Sequence, residues 1–433
     1  MPNQFNSPEG DLENYFVSEY WLIDQYVGDQ LWGWGLNSTT GRVGNNAAGG
    51  LAGGNNGVTT PVTTSAGGSN WKQISTAGAM SSAVKTDGTL WTWGNNTNTQ
   101  TGAFLGGAVT TCVCTPVTTF AGGTNWKQVS CGGYSAAAIK TDGSLWTWGA
   151  GSSGELGNNV SGAGNLSNRC TPVTTFLGGT NWKQVSVGTQ FMAAIKTDGS
   201  LWTWGNNTCG TLGINSFGVA TSRSTPVTTF VGGNNWKQVS CGVANAPLQT
   251  VFVGMTTATS IAAIKTDGTL WVWGTNNFGQ MGVNSVTVSN FVICTPVTTF
   301  IGGTNWKQVS CGAHAMLAIK TDGTLWGWGR NTGQLGDNTG GTTRLTPVTT
   351  FVGGTNWKQV MSSFQYTHAI KTDGTLWTWG ANNLCQLANL STATIISTPA
   401  TTFAGGTNWK QVSCGSFTSH AITSGTDPTS FVS

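Results

Sequence analysis

The chain has 433 residues and a net charge of +3, with only 8% charged residues but 64 Gly and 22 Trp. So small a charge gives no electrostatic reason to expect a nucleic-acid partner, and so many large rings, which need burial, exclude a disordered polar chain. No stretch approaches the roughly 20 apolar residues of a membrane-spanning helix.

The charge is unevenly placed. Residues 1–30 hold Glu9, Asp11, Glu13, Glu19, Asp24 and Asp29 with no Lys or Arg, a charge of −6 against +9 for the remainder. This acidic start lacks the basic region that opens a secretory signal, so none is expected. Ser7-Pro8 suits a helix N-cap followed by Pro at the first helical position. Phe16, Tyr20, Ile23 and Val27 then share one helical face, which Tyr15, Trp21, Leu22 and Tyr26 widen. Gly28 is a suitable stop. The pattern predicts a short helical or extended extension, residues 1–30, that docks on a partner through Tyr15, Phe16, Tyr20, Trp21, Ile23 and Tyr26, because Tyr and Trp favour interfaces. The competing reading is a helix that caps one end of its own fold.

From residue 31 onward the chain repeats itself. N-W-K-Q recurs at Trp71, Trp126, Trp182, Trp236, Trp306, Trp357 and Trp409, and L-W-x-W-G recurs at Trp32/Trp34, Trp91/Trp93, Trp146/Trp148, Trp202/Trp204, Trp271/Trp273, Trp326/Trp328 and Trp377/Trp379. These phrases contain every Trp except Trp21. Periods of this length mark arrays of supersecondary units.

One unit shows the pattern. Trp126–Cys131 reads as a first strand ended by Gly132-Gly133, and Ala136–Lys140 as a second. Thr141-Asp142-Gly143 is a tight turn, since Asp-Gly tolerates positive φ. Leu145–Trp148 is a third strand with both Trp on one face. A Gly/Asn-rich loop follows, including Gly154-Glu155-Leu156-Gly157, and Thr171–Phe176 is the fourth strand. Pro172 confines that strand to an edge. Four strands per unit of about 50 residues, repeated radially, make a propeller blade. The expected fold is all-β: a seven-bladed β-propeller of four-stranded blades. Trp91, Trp93, Trp146, Trp148, Trp202, Trp204, Trp271, Trp273, Trp326, Trp328, Trp377 and Trp379 are its blade-packing residues, meeting small residues of the neighbouring blade.

The first unit enters at its third strand, L-W-G-W-G (31–35), and the last leaves after Ala421-Ile422. The two halves complement each other, so the closing blade is expected to be shared between the N- and C-terminal segments. The propeller spans 31–423 and a tail 424–433. Between Trp236 and Trp306 the unit is longer, with an insertion at about 243–260 around Val251, Phe252, Val253 and Met255. It reads as a protruding loop, a possible contact site or plain decoration.

Cys131, Cys241, Cys311 and Cys414 share one repeat position and Cys114, Cys170 and Cys294 another, the pattern of small buried apolar residues. No Cys/His set has zinc spacing, and neither a metal nor a cofactor is expected. All thirteen Lys fall in N-W-K or K-T-D-G. They would form rings around the axis, either a site for an anion such as a phosphate or an acidic glycan, or solvated rims paired with the matching Asp. His368 and His420 occupy the place of Ala137, which favours the core over catalysis. No Ser/His/Asp set or carboxylate pair is assignable, so no catalytic residue is expected.

The units resemble the regulator of chromosome condensation repeat family. Residues 306–347 carry its pattern best: Val309, Cys311-Gly312, His314, Asp322-Gly323, Leu325-Trp326, Trp328-Gly329, Gly333-Gln334-Leu335-Gly336 and Pro347. The resemblance implies a seven-bladed propeller closed by shared ends. The family's eponymous members are guanine-nucleotide exchange factors, and others are binding modules. The chain departs from the exchange factors in its nearly charge-free loops and its lack of a basic tail. Its near-verbatim A-I-K-T-D-G-T-L-W-T-W-G and G-G-T-N-W-K-Q-V-S resemble repeat proteins of marine bacteriophages, taken to be virion structural proteins. The expectation is a non-enzymatic virion protein, tail-associated or surface-exposed, present in multiple copies and assembled in the host cytoplasm. Its partners would be other virion proteins, bound through residues 1–30. The alternatives are an adhesin for a host receptor or glycan, and a regulator of a small GTPase.

Overall fold

The computed structural model describes residues 28–37, 40–46, 57–103, 112–162, 167–243, 259–285 and 292–425. They form seven four-stranded antiparallel sheets arranged as the blades of a β-propeller. The second blade is typical: Trp126–Cys131 is innermost, followed by Ser135–Lys140, Leu145–Gly149 and, outermost, Arg169–Thr174. Pro172 therefore lies on the free edge, where its missing N–H breaks no ladder. The closing blade pairs Trp409–Cys414 and Thr418–Thr423 with Gln30–Leu36 and Gly57–Thr63, the division that the two half-units imply.

The turn Lys140-Thr141-Asp142-Gly143 needs its glycine. Gly143 has φ +82°, and a Cβ there would lie 2.2 Å from the carbonyl oxygen of Thr180 in the next inter-blade loop. The turn thus docks the blade on its successor as well as joining two strands.

Blade packing follows the strand alternation. Trp148, Ala136 and Ala138 sit on one face of their blade and pack against Ala77, Met80, Val84 and Leu90 of the preceding one. The facing surface is aliphatic and mixed in size rather than uniformly small. The two Trp of W-x-W are also unequal: Trp148 is fully buried, whereas Trp146 is half-buried and meets Trp126 edge-on at 6.3 Å. Burying each large ring contributes roughly 1.5–3 kcal/mol.

Hydrogen bonds then lock blade to blade. The side chain of Gln73 accepts from the amide of Val129 at 2.9 Å and donates to the carbonyl of the same residue at 3.0 Å. The arrangement repeats at Gln128–Val185, Gln184–Val239, Gln238–Val309, Gln308–Val360 and Gln359–Val412, and Gln411–Ile74 closes the circle. The second Trp of each pair adds another link: Trp148 donates to the carbonyl of Gln100 and Trp204 to that of Glu155, each in the preceding blade.

Candidate interaction faces

The strand order gives the ring two unlike ends. At one, the K-T-D-G turns meet the F-x-G-G-T-N segments that lead into the next blade; the amide of Trp126 donates to Gly88, and that of Thr141 to Asn125. We call this the turn face. At the other, the loops after the innermost strands meet those after the third strands, as where the amide of Arg330 donates to His314. We call this the loop face.

The turn face is a repeated electrostatic device. In each of six blades the K-T-D-G lysine lies over two Trp rings, with Nζ 4.2–4.9 Å from their centroids; Lys140 lies over Trp126 and Trp146. The neighbouring Asp142 accepts from the amide and hydroxyl of Ser144, whose oxygen in turn accepts from the indole of Trp146. Those two bonds from Ser144, side chain first, hold the Asp142 carboxyl below the usual range. The expected pairing of these Lys with the matching Asp is therefore corrected. Among the described residues the only ion pairs are Arg344–Asp337 and Lys410–Asp29. The lysines sit on aromatic faces because two fixed indoles hold an ammonium better than a solvated carboxylate does.

Nearer the axis, the N-W-K lysines Lys72, Lys127, Lys183, Lys237, Lys307, Lys358 and Lys410 are all exposed. Only Lys410 is ion-paired among the described residues, with Asp29. Asp29 also bridges to Asn70, so the chain enters the ring at this face.

The outer rim of the turn face carries Phe120, Phe176, Phe230, Phe300, Phe351 and Phe403, each 54–66% exposed. The sequence reading placed Phe176 inside the fourth strand. That strand ends at Thr174, and the Phe projects beyond it, because the amide of Phe176 turns back to Gly157. The signal was present in the repeated T-T-F, but nothing in the spacing marks where the fourth strand ends.

The loop face is more individual. Glu155 stands where Gln100, Gln280, Gln334 and Gln386 stand in other blades. It is buried, accepts the Ser153 amide at 2.7 Å through Oε2, and leaves Oε1 without a hydrogen-bond partner. Burial pushes its carboxyl up to about 7. His368 and His420 are core residues, as their repeat position implies: His368 meets Ser419 at 2.8 Å and Trp34 edge-on, while His420 meets Thr76 at 3.0 Å and Trp93 edge-on. Burial lowers them to about 3 and about 4. His314 is half-buried, between Phe278 and Phe364.

A central cavity of about 100 Å³ runs along the axis, lined by Ser75, Ser130, Ser186, Ser240, Ser310 and Ser413 among others. Each of these hydroxyls accepts a backbone N–H from the next blade. Met361 takes the serine's place in the blade that starts at Trp357 and also lines the cavity. Among the described residues no three His, Cys, Asp or Glu converge on a metal-holding position.

The cysteine expectation holds in part. Cys131, Cys241, Cys311 and Cys414 are buried, with thiols that burial pushes up, to about 11 for Cys131 and about 12 for Cys311. Cys114, Cys170 and Cys294 are only half-buried, a correction that follows from their place on the outermost strand. The proposed docking residues Tyr15, Phe16, Tyr20, Trp21, Ile23 and Tyr26, and the loop residues Val251, Phe252, Val253 and Met255, lie outside the described residues.

The repeats match the sequence profile of the "Regulator of chromosome condensation (RCC1) repeat" at residues 87–139, 142–195, 198–245, 267–319 and 373–422, more than half of the chain. The chain belongs to the RCC1 repeat family. A second RCC1 repeat profile matches residues 126–155, 182–211 and 306–333. Among curated relatives with RCC1-like sequence, the "Ultraviolet-B receptor UVR8" of Arabidopsis thaliana is 31% identical over 70% of this chain and 61% of its own length. The human "E3 ubiquitin-protein ligase HERC2" is 27% identical over 68% of this chain but 6% of its own. The chain thus spans less than two thirds of these relatives. Among solved structures, human WBSCR16 superposes with a TM-score of 0.74 at 18% identity, covering 91% of this chain and 99% of that one. Yeast RCC1 (Prp20), from its complex with Kap60, gives 0.72 at 17%, covering 99% and 95%. These two likenesses concern the fold alone.

Proposed function

We propose that the chain is a non-enzymatic interaction protein: a rigid propeller carried on a larger assembly through residues 1–30, the assembly being a bacteriophage virion. The observation that carries this reading is the entry of the chain into the ring. Asp29 is clipped to Lys410 and Asn70 at the turn face, so a partner that grips the acidic, aromatic segment preceding it holds the propeller by that face. The closed circle of Gln–backbone bonds supports a body that moves as one piece when held at one point. The near-identity of the blades supports a scaffold, since a catalytic face needs blades that differ. The marine-phage texture of the repeats supports the virion as the place of assembly.

Mass spectrometry of purified particles tests the reading. The chain is expected among the virion proteins, and deletion of residues 1–27 is expected to give particles that lack it. Its absence from purified particles would sink the virion assignment. Its retention in particles after the deletion would sink the attachment role.

A further inference from the structure

We propose that the turn face is a binding site for an acidic polysaccharide, a ligand class that goes beyond attachment to an assembly and does not depend on it.

Three independent features of the face point there. The first is charge. All thirteen Lys lie at this end, against the six Asp of K-T-D-G and Asp29. The inner lysines Lys72, Lys127, Lys183, Lys237, Lys307 and Lys358 are exposed and have no ion-pair partner among the described residues. They occupy one position on neighbouring inner strands that the Gln bonds hold in register. Packed sheets lie about 10 Å apart, close to the Debye length of about 8 Å at physiological ionic strength. Neighbouring ammonium groups therefore act jointly on a chain that runs past several of them, and only weakly on a single small anion. Lys410 with Asp29 shows what such a lysine does when a carboxylate is in reach.

The second feature is preorganisation. The six outer lysines are fixed on their Trp pairs before any ligand arrives, which reduces the ordering cost of binding. Between them stand exposed Asp side chains whose Oδ1 is occupied by the adjacent Ser or Thr, as at Asp142 and Asp198. Carboxylates beside ammonium groups repel a ligand that offers only negative charge. They suit one that also offers hydroxyl donors, which sugars carry.

The third feature is the rim of exposed phenyl rings, one in each of six blades. Apolar side chains repeated at one exposed position mark a contact surface rather than scattered surface hydrophobics, and a flat ring fits the C–H face of a pyranose. A polyphosphate backbone is the poorer match. The five Arg, whose forks suit phosphate, all lie toward the loop-face ends of their blades: Arg42, Arg169, Arg223, Arg330 and Arg344.

The test uses the full chain and immobilised dextran sulfate, with neutral dextran and single-stranded oligothymidylate as comparisons. Dextran sulfate is expected to bind with an affinity that falls as salt rises, and neutral dextran is expected not to bind. The sixfold variant with Lys72, Lys127, Lys183, Lys237, Lys307 and Lys358 each changed to Gln is expected to bind at least tenfold more weakly. The same six positions changed to Arg keep the binding, which separates loss of charge from loss of fold. Phe176→Ala with Phe230→Ala and Phe300→Ala is expected to weaken binding severalfold with the salt dependence unchanged. Arg169→Gln with Arg223→Gln, at the other end, leaves it unaltered. The proposal is overturned if the full chain does not bind dextran sulfate, if the sixfold Gln variant binds as tightly as the parent, or if oligothymidylate binds as well as dextran sulfate. It is overturned equally if binding appears only once residues 1–27 are removed, because the chain's own acidic segment is then the occupant.

Discussion

Trp32 donates its indole N–H to the hydroxyl of Thr423 at 3.2 Å, a bond between residues 391 positions apart. In the other six blades the equivalent Trp donates to the Ser or Thr two residues earlier, as Trp146 does to Ser144. Thr423 also faces Trp409 at the register position that Lys140 holds opposite Trp126. One threonine at the closing seam thus stands in for the turn hydroxyl and displaces the lysine. Thr423→Val removes this hydrogen bond and is expected to cost about 1 kcal/mol, read as a lower urea midpoint. Ending the chain at residue 417 removes the strand Thr418–Thr423 and is expected to abolish the cooperative transition, because the seam has no covalent bond to replace it.

Lys140 tests the aromatic seats. Lys140→Met keeps the aliphatic stem over Trp126 and Trp146 and removes the charge. The expected loss is about 1 kcal/mol, with little dependence on salt. A loss that vanishes in high salt would instead indicate an ordinary surface ion pair.

Glu155 gives a pH dependence of definite sign. Its folded pKa, raised by burial from 4.5 to about 7, means that the native state holds the proton more tightly than the unfolded chain. The associated stability is complete below about 4.5 and is lost as pH rises through about 7. Glu155→Gln is expected to flatten that limb and to raise stability at pH 8 by an amount on the order of 3 kcal/mol. Denaturant titrations at pH 5 and pH 8 check it.

The histidines act on the other side. His368 and His420 are lowered by burial from 6.5 to about 3 and about 4. The stability they contribute is complete above about 6.5 and is lost as pH falls toward those values. Their imidazole proton resonances are expected to stay those of the neutral ring down to about pH 5, while the unfolded chain titrates normally.

The fold was legible because each blade states the same constraints seven times. Alternation marks the strands, Asp-Gly the turns, Pro172 the edge, and the two complementary half-units the seam. The turn face was less legible. Whether Lys140 pairs with Asp142 or with two indoles depends on where the Trp rings end up, and strand pairing, not spacing, brings Trp126 and Trp146 together. Cys170 reads as interior because small apolar residues in a repeat usually are, yet the outermost strand has one face open. Glu155 gave no signal in its own unit. It becomes visible only against the Gln of its counterparts, where one oxygen replaces one amide in a closed space.

The Gln bonds have a direction. Every unit presents one side-chain amide forward and receives one on its own backbone, so every junction uses the same two complementary parts. As far as these bonds go, an exchange of units within the ring leaves every Gln junction matched, although contacts such as His368–Ser419 and Thr76–His420 belong to particular neighbours. What such exchange cannot easily change is the number of units, because the amide of Gln411 must still arrive at Ile74. The circle of Gln bonds is permissive about which unit stands where and strict about how many there are.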